Sequence, residues 1–184
     1  MTPEQAQRLL AELSDTTTRA RALVSGQSAE ALMNRPRKEA WSVAESLEHL
    51  ILTADAMAPL ADAAISELER GGKRSSTPAG LGLTGWMLVK ALEPPPRMKS
   101  RTTKPFEPLD VADPAGVAER FAATNARFES LVKRATGFDS ARARVVSPFN
   151  QKVRYNLYAA FRILLAHARR HLHQATEAAR MTAA

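Results

Sequence analysis

The sequence predicts an all-α fold, a four-helix bundle, on three observations. Four long stretches run nearly free of glycine and proline, and their apolar residues recur at the helical period. Only one short piece, Arg144 to Val146, has the character of a strand. With 184 residues, 45% of them hydrophobic, the chain can bury one core without disulfide or metal staples. A single domain over residues 1–184 is therefore expected.

The first helix is expected from about Pro3 to Val24, since proline is tolerated at a helix start and Leu9, Leu10, Leu13, Ala20 and Leu23 follow near the helical period. A short turn of helix from Ala29 to Met33 precedes Arg35-Pro36-Arg37. Ser42 followed by Glu45 is a capping box, with Trp41 just before the cap, and it opens a second helix from Ala44 to Arg70 that Gly71-Gly72 ends. Leu47, Leu50, Ile51, Ala54, Met57, Ala58, Ala61, Ile65 and Leu68 form its core stripe, and Pro59 is expected to kink it or lengthen one hydrogen bond.

Residues 71–113 hold Gly, Ser and Thr, the triple Pro94-Pro95-Pro96, Pro105 and Pro108, with one short helix expected around Gly85 to Leu92. A connection this long exceeds what a helix hairpin needs, so the second and third helices are expected to lie parallel, joined by a crossover, in an up-down-down-up bundle. Asp113-Pro114 reads as an N-cap with proline at the first helical position, opening a third helix that runs to Ala135 and is ended by Gly137. The fourth is expected from Tyr155 to Arg180.

Cysteine is absent, which excludes disulfides, thiolate zinc sites, iron–sulfur clusters and a cysteine nucleophile. The N-terminal residues carry Glu4 where a signal peptide needs positive charge, and the longest charge-free stretches are broken by glycine and proline. The expectation is a soluble cytoplasmic protein with no membrane segment. The net charge of +7 is uneven, because Arg134, Arg142, Arg144, Lys152, Arg154, Arg162, Arg169 and Arg170 meet only Asp139 in their own stretch. They form either a solvated face or the surroundings of a cleft that holds an anionic small molecule. No helix-turn-helix pattern occurs and no aromatics are interleaved with the basic residues, so a nucleic-acid partner is not expected. Phosphate-loop, dinucleotide and nucleophile-elbow motifs are also absent.

Four histidines remain as the chemistry-bearing set: His49, His167, His171 and His173. At about 100° per residue from Leu157, the apolar residues of the last helix fill one arc, and His171, His167 and Gln174 line its edge at roughly 320°, 280° and 260°. His173, near 160°, is expected to face solvent. The four-residue step from His167 to His171 stacks their rings on adjacent turns, where two nitrogens can converge on one ion. The same spacing is found in ordinary half-buried histidine pairs. Two ligands bind weakly, so a metal site needs a third from another helix. His49 lies two turns into the second helix in a weakly polar row with Ser46, Thr53, Ala56 and Leu60, which suits a shallow cleft. Tyr155 and Tyr158 are read as packing residues, and Trp86 as a residue that closes the cleft or mediates a homodimer.

Trp41-Ser42 leading into a helix with His49, followed by His167-x3-His171 and then Gln174, resembles the DinB/YfiT-like superfamily, and Lys104-Pro105-Phe106-Glu107-Pro108 looks like that family's crossover. The resemblance implies an up-down-down-up bundle with His49, His167 and His171 as metal ligands and Gln174 beside them. It further implies a divalent metal, zinc first, with nickel, iron and manganese open. Thiol S-transferases using low-molecular-weight thiols such as bacillithiol or mycothiol, and metal-dependent hydrolases, are among the activities it suggests. A site of three histidines leaves a coordination position open for water or substrate. The alternative is a non-catalytic helical bundle that binds a small ligand or partner and keeps a vestigial site.

Overall fold

The computed structural model describes residues 1–95 and 102–182, so Pro96 of the triple proline lies outside the described residues. Among the described residues, six α-helices and two short strands follow in the order α1 (Pro3–Val24), α2 (Ala29–Met33), α3 (Val43–Gly71), α4 (Gly82–Leu92), α5 (Val117–Ala135), β1 (Arg144–Val146), β2 (Arg154–Asn156) and α6 (Leu157–Thr182). Among the described residues between α4 and α5 stands a 3-10 turn, Lys104–Phe106.

Local chemistry sets most helix ends. Thr2 and Gln5 form a capping box at α1, a signal overlooked in the sequence, and Ser42 and Glu45 form the expected one at α3. Gly72, at φ 63°, closes α3 in the left-handed conformation that glycine adopts without steric cost. The predicted stripe of α3 is buried throughout. Pro59 stays within the helix on its exposed face, where water can satisfy the carbonyl that loses its partner.

Three boundaries differ from expectation. The Asp113 carboxylate accepts from the Gly116 N–H at 3.0 Å and closes a turn across Pro114, so α5 starts three residues later, with Gly116 as a cap that makes no side-chain hydrogen bond. Tyr155 and Asn156 belong to β2, which pairs antiparallel with β1 in the register Val145↔Tyr155. The last helix begins at Leu157, and Asn156 accepts from the Ala159 N–H at 2.8 Å. Finally, α4 starts at Gly82. Its Gly85 is required by close approach to α6, because a Cβ there would lie 2.5 Å from the Ala159 Cβ.

The four long helices pack α3 against α5 and α6, and α1 against the same two. Carboxylates on α3 meet arginines on α5 in rising order on both: Glu48 with Arg120 at 2.7 Å, Asp55 with Arg127 at 2.9 Å, and Asp62 and Glu69 with Arg134. Between α1 and α5 the order reverses: Arg21 pairs with Glu119, whereas Leu13 and Thr17 meet Asn125. The exposed pairs among these, those of Asp55, Asp62, Glu69 and Arg21, each contribute little, about 0–1 kcal/mol. The interior is two clusters of buried apolar residues, one around Leu9, Ile65, Phe128 and Phe161, the other around Leu47, Phe121, Leu172 and Ala175.

Three arginines of the basic stretch are paired from afar. Arg134 is held by Asp62 and Glu69, Arg162 by Glu12, and Arg169 by both Glu12 and Glu93. Sequence proximity concealed these partners because they come from α1, α3 and the end of α4. No helix among the described residues is long and apolar enough to cross a membrane.

Candidate metal centre

Helices α3 and α6 bring His49, His167 and His171 together, each offering a ring nitrogen within 4.8 Å of the others. Among the described residues no carboxylate joins the group. The capping box fixes where α3 begins and hence the height of His49. Glu45, buried in that box, also takes Arg35, and burial, which alone would raise its pKa, is outweighed by these hydrogen bonds so that the carboxyl is held below its usual range.

The rings are placed from several sides. His49 Nδ1 lies 2.7 Å from the Phe106 carbonyl oxygen, which can only accept, so Nδ1 carries the proton and Nε2 presents a lone pair. That lone pair faces His167 Nε2 at 3.2 Å. Two nitrogens bound to one tetrahedral ion at 2.0–2.1 Å stand about 3.3 Å apart. The His171 Nδ1 is buried and has no hydrogen-bond partner among the described residues. Trp41 lies 5.7 Å from the His171 ring, nearly stacked, and 4.7 Å from His49. A ring nitrogen turned toward its neighbour and a second left unpaired in the interior are what a cation among these imidazoles would satisfy, so the residues fit a metal.

Burial favours the neutral form of all three imidazoles. It lowers the pKa of His49 against the opposing Phe106 bond, pushes His167 down to about 3 with help from His49 and Arg170, and depresses His171 well below its ordinary value. Gln174 acts on His171 in the opposite direction. Arg170 is itself buried and donates to the Ala91 carbonyl at 3.3 Å.

The unfolded chain takes up protons on these histidines below about pH 6.5 while the folded chain does not, so stability falls with decreasing pH from there toward the depressed folded values. Metal-free protein should lose stability with a slope that steepens toward about 1.4 kcal/mol per pH unit for each histidine kept neutral, measured by urea unfolding between pH 6.5 and 5. A flat profile over that range would show that the folded cluster is protonated as easily as free imidazole.

Two expectations need correction. His49 is buried, 3% exposed, rather than lining a shallow cleft, because Trp41, the Phe106 carbonyl and the α6 histidines surround its ring. His173 is half-buried rather than solvent-facing, although it stands outside the cluster as predicted. Tyr155 packs as expected, with its hydroxyl 3.8 Å from the Met57 sulfur and its pKa pushed up to about 12 by burial. Trp86 is half-exposed on α4, with the Lys90 ammonium 5.2 Å from its ring centre.

Sequence reasoning missed Phe149 and the Phe106 carbonyl. Phe149, from the β1–β2 loop, lies 6.2 Å from the His167 ring and 4.7 Å from that of Phe106. No local signal marks either contact.

Comparison with protein families matches residues 12–175 to the DinB superfamily. No curated protein matches the chain, and no solved structure matches it.

Proposed function

The chain belongs to the DinB superfamily, and we propose that it is a metal-dependent enzyme, a thiol S-transferase or a hydrolase, in which His49, His167 and His171 hold one divalent ion. The observation that supports this most is the convergence of three neutral imidazoles, one with its tautomer set by a backbone carbonyl. Zinc suits an all-imidazole set first, and nickel, iron and manganese are the other candidates. When bound, such an ion polarises a substrate oxygen and lowers the pKa of a water or thiol at its open position.

The chain's own residues supply the rest. The Phe106 carbonyl holds His49 with its lone pair inward, and Trp41 fixes the rotation of two imidazoles from outside. With no carboxylate ligand among the described residues and with the Arg170 charge acting on His167 and His171, the site favours an anionic small molecule. Because the chain lacks cysteine, a reacting thiol has to arrive as a low-molecular-weight cosubstrate. The same reading takes the four long helices as one up-down-down-up bundle, supported by the rising order of ion pairs between α3 and α5 and the reversed order between α1 and α5.

Elemental analysis of protein purified without chelators is expected to find about one equivalent of transition metal. Less than about a tenth, with no uptake on zinc titration, would favour a non-catalytic bundle with a vestigial site.

A further inference from the structure

The β1–β2 hairpin buries Val145 and Tyr155 in the core, whereas its loop reaches the histidine cluster. Its strands are three residues each, and its loop is ordered by its own hydrogen bonds: Ser147 Oγ accepts from the Phe149 N–H at 3.3 Å, Asn150 Oδ1 from the Lys152 N–H at 3.0 Å, and the Val153 carbonyl from the Ser147 N–H at 2.9 Å. This small frame delivers one large apolar side chain to the histidine cluster. The Phe149 ring packs at 57° on Phe106, whose carbonyl holds His49, and lies beside His167, yet 39% of Phe149 remains exposed. A phenylalanine needed only for the core would be covered, as Phe106, Phe121, Phe128 and Phe161 are. Here a rigid loop keeps an aromatic ring partly open next to the proposed ligands.

We propose that Phe149, backed by Phe106, forms an apolar subsite for the substrate: the molecule that meets the ion carries an aromatic or bulky alkyl group, and this group covers the open part of the Phe149 ring. The inference rests on the metal-site reading above. Phe149 touches no reacting atom in this account; it sets which substrates fit. An aromatic pair of this kind contributes a several-fold preference beyond area burial, roughly threefold to tenfold.

The test uses the full chain loaded with Co2+, whose visible d–d bands report ligands entering the metal sphere, and compares benzohydroxamate with acetohydroxamate. The two share the chelating group and differ in the apolar one. Wild type is expected to bind benzohydroxamate about fivefold or more tighter, and Phe149→Ala to reduce that ratio to near one while its Co2+ affinity and acetohydroxamate binding stay within about twofold. Phe149→Leu, which keeps an apolar side chain, should retain part of the preference. Equal binding of the two probes by wild type, or an undiminished ratio in Phe149→Ala, would overturn the subsite while leaving the metal centre intact. Absence of the cobalt bands in wild type would remove the metal reading and the subsite together, and is distinguishable because no probe is then needed to see it.

Discussion

Replacing His167 with alanine is expected to abolish metal retention, weakening zinc affinity on the order of a hundredfold or more, whereas His173→Ala should hold zinc within about twofold of wild type. The two residues share a helix and similar partial burial, so the contrast isolates membership of the cluster from a general effect of losing an imidazole. His167 Nε2 faces the lone pair of His49 Nε2 at 3.2 Å, and its ring stands 4.5 Å from that of His171, so its loss leaves two ligands on opposite helices. Competition with a chromophoric zinc chelator measures both variants on one scale. Equal loss in both, with the fold retained by circular dichroism, would mean that the metal is held elsewhere.

Phe161→Ala is expected to produce the largest loss of stability, about 3–5 kcal/mol, lowering the melting temperature by roughly 10 °C. Phe161 is 2% exposed and meets Phe128 edge-on at 6.5 Å, in the bundle interior with Leu9, Leu13, Val132 and Leu165. Removing the ring leaves a cavity that the surrounding leucines fill only in part. Because residue 161 lies more than a helical turn before His167, zinc binding by the folded variant should change little. Urea unfolding at pH 7 checks the first statement and the chelator assay the second. A loss below about 1 kcal/mol would place Phe161 outside the cooperative core.

The helices were legible where a local signal marks them. Ser42 and Glu45 cap one helix, Gly72 ends it, and the stripe from Leu47 to Leu68 repeats with the helical period. The step from His167 to His171 was equally plain, because four residues is one turn. What local reading lacks is the long-range partner. Arg154-Tyr155-Asn156 has no strand character of its own and becomes β2 only by pairing with Arg144–Val146. Asp113 carries the chemistry of an N-cap, and a turn closed on Gly116 competes for it successfully. The cationic stretch from Arg134 to Arg170 gave a charge excess in sequence that Glu12, Asp62, Glu69 and Glu93 partly offset in space. The same limit hid Phe106 and Phe149: residues 57 and 18 positions away from the histidines they meet have no periodicity that points to them.

Three histidines from two helices are proposed to hold one ion. Anomalous diffraction at the zinc edge, from crystals of the zinc-loaded protein, tests it most directly. A single strong peak lying about 2.0–2.1 Å from one ring nitrogen each of His49, His167 and His171 is the predicted result. A zinc peak elsewhere on the chain, with none among these three rings, would contradict it.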